Sequence, residues 1–241
     1  TLKKGIYLEN EGTLNIYAQN GGTGTLEVTG NNANGATNAG IYISTGGACT
    51  TALNIYGGNI TATGALNWTF SSGDLCGAGI GTNANYDNKS TMEVNISGGT
   101  VTAKSGGPGA AAIGRGSKDT SSTVTVTIAQ GMKCVKTDDP NAACDPGNTD
   151  GTSVTVTKCS EHEWKYTYTE DSSTHTKTCK LCGFDGGTEE HSVSTWTSKD
   201  ESQHIGYCVC GKTIATKSHD MQYYPNADGL THKTSCNRCG W

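Results

Sequence analysis

The chain has 241 residues, a formal net charge of -5, 11 cysteines, 34 glycines and only 4 prolines. Its only arginines are Arg115 and Arg238, so it lacks the clustered basic side chains that a nucleic-acid partner requires. It also lacks an apolar run of the ~20 residues that a membrane-spanning helix needs, and no membrane span is expected.

The first ten residues, "TLKKGIYLEN", already read as a strand. The sequence is therefore expected to be a trimmed piece of a longer protein, and the lack of a visible signal peptide says nothing about secretion. Residues 1–133 have no helical periodicity. They alternate apolar and polar residues in short runs punctuated by Gly, Asn and Ser, as in "TLNIYAQNGGTGTLEVTG", "ALNIYGGNITATG" and "MEVNISGGTVTAKSGG". Small-residue stretches surround Ile41, Ile80 and Ile113, each followed by an alternating strand such as Leu53–Ile55 or Val94–Ile96.

The period drifts between the low thirties and about forty residues, a size that marks solenoids and arrays. Alternation puts every second residue on an inner face. Gly-Gly and Asn-Gly supply the positive φ that sharp corners need. A coil cannot bury its apolar face alone, so neighbours must stack. The predicted fold class is all-β: a right-handed parallel β-solenoid of about four coils, followed by small zinc-stabilised hairpin modules. An antiparallel β-sandwich fits the alternation equally well but explains the recurrent small-residue segment less well. Residues 134–159 hold an Asp/Pro/Asn/Gly loop and the run "SVTVTKC", expected to be a last strand over the open end.

The pattern "GGTVTA…GAAAIGRG" resembles parallel β-helix domains of Gram-positive surface proteins over about residues 5–157. Some of those domains bind plant or host polysaccharides. The resemblance implies an extracellular or bacterial cell-surface location and a polysaccharide or host glycoprotein as partner.

The C-terminal third repeats something else. His162, His175, Cys179 and Cys182 are followed at matching intervals by His191, His204, Cys208 and Cys210, and then by His219, His232, Cys236 and Cys239. These residues include all 6 histidines. Gly183, Gly211 and Gly240 close the three cysteine pairs. Thiolates and imidazoles at such spacing are zinc ligands, and about three structural zinc ions are expected. Each module is too small to bury a sufficient core, so metal would supply its folding energy. Similar short His/Cys repeats occur in tandem in large Firmicutes surface proteins, which these modules resemble.

Asp228-Gly229 is a favoured hairpin turn. Folding there pairs Leu230 with Ala227 and sets His219 opposite Arg238, between Cys236 and Cys239. The second histidine is harder to place, because four residues of strand span about 13 Å. Either the strand bends and each module closes its own site, or the fourth ligand is the first histidine of the next module. The first register completes three sites from twelve residues and is the one expected. The clusters Trp164/Tyr166, Trp196 and Tyr223/Tyr224 are expected to cover the metal and thiolates, with stacking on glycans as the alternative. The resulting domains are a solenoid with its cap over 1–158 and modules over 159–187, 188–215 and 216–241.

Five cysteines remain. Cys49 with Cys76, and Cys134 with Cys144, are the candidate disulfides, although spacing does not determine connectivity. Cys159 is a free thiol, a partner of Cys134, or an extra metal ligand. Trp68 and Phe70 in one insertion and Tyr86 in another are candidates for stacking on sugar rings, with capping of the core as the alternative for the first two. Asp and Asn in the solenoid loops offer oxygen ligands for calcium without the repeated spacing of an EF-hand. The acids and bases Asp74, Asp87, Asp119, Lys89, Lys104 and Arg115 are scattered, and catalysis is not expected. The functional expectation is a non-enzymatic surface or adhesin fragment that binds polysaccharide, with the zinc modules as a stalk. The alternatives are a spacer without a ligand, and a polysaccharide lyase or hydrolase of β-helix type.

Overall fold

Gly-rich alternation with no helical period produces strands and no helices among the described residues. The computed structural model describes residues 1–241 except 3–4, 10, 20–23, 34–35, 45–49, 68–74, 85–88 and 148–152. Trp68, Phe70, Tyr86 and Cys49, with Asp74 and Asp87, lie outside the described residues. The chain divides into two compact units. One is Thr1–His162 with Leu181–Gly183, and the other is Glu163–Lys180 with Phe184–Trp241.

Three ladders of short strands make the first unit. In the first ladder Ile6, Ile41, Ile80 and Ile113 stand in parallel register. In the second, Thr13–Ile16, Thr50–Ile55, Thr91–Ile96 and Thr123–Ile128 align Leu14, Leu53, Val94 and Val126 in one row. The next inward row is Ile16, Ile55, Ile96 and Ile128. The third ladder aligns Leu26, Ile60 and Val101, then Val28, Ala62 and Ala103.

The inward residues of all three ladders meet in one apolar core that includes Ile41, Ile80, Ile113, Leu53, Ile55, Val94 and Ile96. Full burial of each such side chain contributes about 1.5–3 kcal/mol. On the outward face, Asn95 donates to Asn54, and Asn54 to Asn15, each at 2.9 Å. Within the first ladder, neighbouring backbones come too close for a side chain where Gly81 pairs with Gly114: a Cβ on Gly81, whose φ is +142°, would lie 1.8 Å from the Gly114 carbonyl oxygen.

The "SVTVTKC" strand does more than cover an end. Ser153–Lys158 runs antiparallel to Thr100–Lys104 on one side and to Met132–Lys136 on the other. Val154 and Val156 thereby continue the inner row. Asp139–Ala143 then forms the outer strand, where Pro140, lacking an N–H, is tolerated. Cys134 and Cys144 form a disulfide across this hairpin with a Cα–Cα distance of 5.5 Å.

The second unit contains three separate antiparallel sheets. The first is Trp164–Thr167, Thr174–Cys179 and Asp185–Glu190; the second is Thr195–Ser198, Gln203–Tyr207 and Thr213–Ser218. The third pairs Met221–Pro225 with His232–Cys236 in the register that the Asp228-Gly229 turn dictates, Pro225 facing His232.

Candidate metal centres

Each cysteine pair sits at the tight turn that ends the second strand of its sheet. Cys208 donates its N–H to the Lys212 carbonyl and Cys236 to that of Trp241, while Gly211 and Gly240 donate back to Cys208 and Cys236. The glycines closing the three turns, Gly183, Gly211 and Gly240, have φ of 66°, 91° and 75°. Only glycine adopts this region without strain, which is why each pair carries one.

In the second unit the ligating atoms gather in two groups of four, all within 4.8 Å of one another: His175, His191, Cys208 and Cys210, and His204, His219, Cys236 and Cys239. This differs from the expected register. His175 and Cys179 lie near opposite ends of the strand Thr174–Cys179, and about 13 Å of strand separates them. The neighbouring strand resolves the problem. It pairs Glu189 with His175, and His191 follows its end, so both histidines come from the first sheet. The cysteines come from the turn of the second sheet. The third group repeats this arrangement with His204 and His219 from the second sheet and Cys236 and Cys239 from the third. A metal here would join consecutive sheets rather than close one hairpin.

In the first unit, Cys159 and Cys182 both point at His162, with Sγ–Nδ1 distances of 3.6 and 3.5 Å. Cys159 thus acts where the later groups use a histidine of a preceding sheet. A Cys-x-x-His spacing from Cys159 to His162 was the signal for it. Cys179 is buried and lies three positions before Cys182. His232 belongs to none of the groups found.

The distances suit a tetrahedral ion. With Zn–S of about 2.3 Å and Zn–N of about 2.05 Å, the sulfur–nitrogen edge is about 3.6 Å and the nitrogen–nitrogen edge about 3.3 Å. The observed Nδ1–Sγ distances are 3.6, 3.4, 3.3 and 3.5 Å in the second unit, and His175 Nδ1 lies 3.3 Å from His191 Nδ1. Every one of these histidines presents Nδ1. His219 shows why: its Nε2 faces the Asp200 carbonyl at 2.9 Å, so Nε2 carries the proton and Nδ1 is free to ligate. Glu189 stands 3.6 Å from His175 Nε2 on the same side.

Electrostatics favour the ligating form at Cys236 and His191 and oppose it at Cys210. Burial raises the Cys236 thiol, but N–H groups of Arg238 and Cys239 and the rings of His219 and His204 outweigh it and bring it to about 5. Burial lowers His191, and the nearby Lys212 and His175 push it the same way. Burial and the neighbouring Cys208 push Cys210 up.

Three of the aromatic residues expected to cover the metal, Tyr166, Trp196 and Tyr223, contact histidine rings. They meet the second histidine of each module edge-on: Tyr166 with His175 at 5.2 Å, Trp196 with His204 at 4.5 Å, and Tyr223 with His232 at 5.1 Å between ring centroids. Trp241 stacks on His219 at 4.9 Å.

Asp119 is a structural acid. Its carboxylate accepts from Thr82 at 2.5 Å and from the N–H groups of Ser121 and Ser122. Among the described residues no group of three carboxylates converges as calcium ligands would. No helix of the described residues is long and apolar enough to cross a membrane. No family model, curated protein or solved structure matches the chain.

Proposed function

We propose that this chain is a non-enzymatic fragment of an extracellular, cell-surface protein. In this reading a right-handed parallel β-solenoid serves as the display scaffold, and a tail of small sheets is held by three structural zinc ions. One observation carries the zinc reading. In the second unit the buried side chains are His175, Cys179, His204, Cys208 and Cys236, all of them cysteine or histidine. A unit without an apolar core needs another source of folding energy, and metal is the one these side chains supply.

By the spacing of its motif, Cys179 stands to Cys182 as Cys236 stands to Cys239. Four protein ligands close the coordination sphere, which suits a structural rather than a catalytic ion. The parallel rows of Ile6, Ile41, Ile80 and Ile113 support the solenoid, and the Cys134–Cys144 disulfide supports an oxidising compartment. The test is elemental analysis of protein purified without chelator, with the metal located by anomalous scattering. Three zinc ions per chain are expected. Absence of zinc, with Cys236 and Cys239 oxidised to each other, would overturn the reading.

A polysaccharide or host glycoprotein is the partner we infer for the first unit. Tyr17 and Tyr56 are 68% and 49% exposed and stack at 4.8 Å along the second ladder, and open aromatic rings are surfaces on which sugars stack. A glycan array with the intact chain and with Tyr17→Ala tests this. Binding that the substitution weakens supports it, no binding leaves a spacer, and unsaturated or reducing-end products would show a lyase or hydrolase instead.

A further inference from the structure

The two groups of the second unit follow one rule. A sheet supplies two histidines, one near the start of its middle strand and one just past its third strand, and the turn of the following sheet supplies two cysteines. His232 occupies the middle-strand position in the third sheet, and no group uses it.

Three observations separate His232 from an ordinary surface histidine. First, it already has the aromatic contact that orients the ligating histidines. Tyr223 meets its ring at 66°, as Tyr166 meets His175 at 73° and Trp196 meets His204 at 64°. Second, the strand His232–Cys236 pairs with Met221–Pro225 on one edge and with no described strand on the other, where the equivalent strands of the first two sheets carry a third partner. Third, the surface around it is open and partly apolar. His175 and His204 are 3% and 0% exposed, whereas His232 is exposed, beside Tyr223 at 69% and Leu230 at 91%.

We propose that His232 is the first ligand of a fourth metal site, completed by a further sheet of this same class. That partner would add a strand to the open edge of His232–Cys236, place one histidine beside His232, and bring a Cys-x-Cys or Cys-x-x-Cys turn onto the pair. The third sheet is then a docking end for another such module. The inference rests on the metal reading of the three groups above.

The segment Asp185–Ser218 contains each required part: a third strand, His191, the next two strands, and the turn with Cys208 and Cys210. Trp241 follows its cysteine pair as Phe184 follows Cys182. A copy of residues 185–218 fused after Trp241 therefore continues the repeat in phase. Cobalt(II) titration, read by thiolate charge-transfer and d–d bands, tests the idea on the full chain with and without this extension.

The unextended chain should take three ions, and His232→Ala should still take three. The extended chain should take a fourth, and His232→Ala should weaken that one ion by more than the ~10–100-fold that losing an outer-shell partner costs. His232→Cys should restore it, since Cys159 supplies a thiolate to the first group. Failure of the unextended chain to bind cobalt would overturn the parent metal reading. Three ions in both chains, or a fourth indifferent to His232, would overturn the fourth site alone. A metal-dependent oligomer of the unextended chain that His232→Ala abolishes would assign His232 to a neighbouring copy's site, and would also overturn the added-sheet proposal.

Discussion

The two units reach a folded state by different physics. In the first, the buried side chains that fill the core are mostly Ile, Leu, Val, Met and Ala, in rows three or four strands deep. In the second, the buried side chains are cysteine and histidine. A stacked parallel core gains from every added strand, because each row buries the one before it. A sheet of two or three strands has no such neighbour, and below ~40 residues metal or disulfides usually supply what the core cannot. The contrast teaches that repetition alone does not imply one stabilising principle. The first repeat contributes apolar area, and the second contributes ligands.

The largest effect should come from a chelator. Structural zinc contributes about 10–16 kcal/mol in comparable peptides, so EDTA should make residues 163–241 susceptible to protease while residues 1–162 stay resistant. Mass spectrometry of the fragments reads the result. Protection of both units in EDTA would erase the comparison.

Next in size is the converse change. Ile80→Ala removes a fully buried side chain from the first ladder and should cost about 2–5 kcal/mol. The early thermal transition should shift, with zinc stoichiometry unchanged in the second unit. A matching loss of zinc would mean that the units are not energetically separate.

Smaller is the loss of the Cys134–Cys144 bridge, which closes a separation of 10 residues. The double change to Ala should cost about 2–3 kcal/mol, visible in the denaturation midpoint of the first unit only. Cys236→Ser in the same experiment should leave that midpoint where it was and abolish one zinc ion.

The finest test is acid. Cys236 is held at about 5, below the ordinary thiol, so its thiolate contributes stability above the unfolded value and loses it as pH falls through the folded one. In the group of Cys208 and Cys210 the first thiol is lowered too, but Cys210 is shifted the other way, so protons compete better for that sulfur. The group of His175, His191, Cys208 and Cys210 should release its ion at a higher pH than the group of His204, His219, Cys236 and Cys239. Metal-release curves with a colorimetric indicator would show two steps in that order, and the reverse order would contradict the electrostatic account.

Much of both units is legible in the residues. The alternation in "TTALNI" and "TMEVNI" names Leu53, Ile55, Val94 and Ile96 as inward, and the ladder pairs them in register. The Asp228-Gly229 turn sets which residues face one another in the last hairpin. The residue types and spacing single out His175, His191, Cys208 and Cys210, and His204, His219, Cys236 and Cys239, which the structure gathers in fours, while His232 lies outside them. Other features have no local signal. Nothing near Asp119 announces that its carboxylate will accept from Thr82, which lies 37 positions earlier. Nothing in "SVTVTKC" says that it will run antiparallel between two strands instead of lying across an end.

By itself, then, the sequence determined the periods: which residues alternate, which glycines need positive φ, and which side chains carry nitrogen or sulfur for a metal. The tertiary structure decided the phase. His175 is only four residues from Cys179, yet it meets Cys208 and Cys210, because a strand holds its two ends apart while pairing brings His191 to its side. A repeat looks the same whichever copy donates to the next. Only the rigid length of a strand, set against the short reach of a metal–ligand bond, selects the copy.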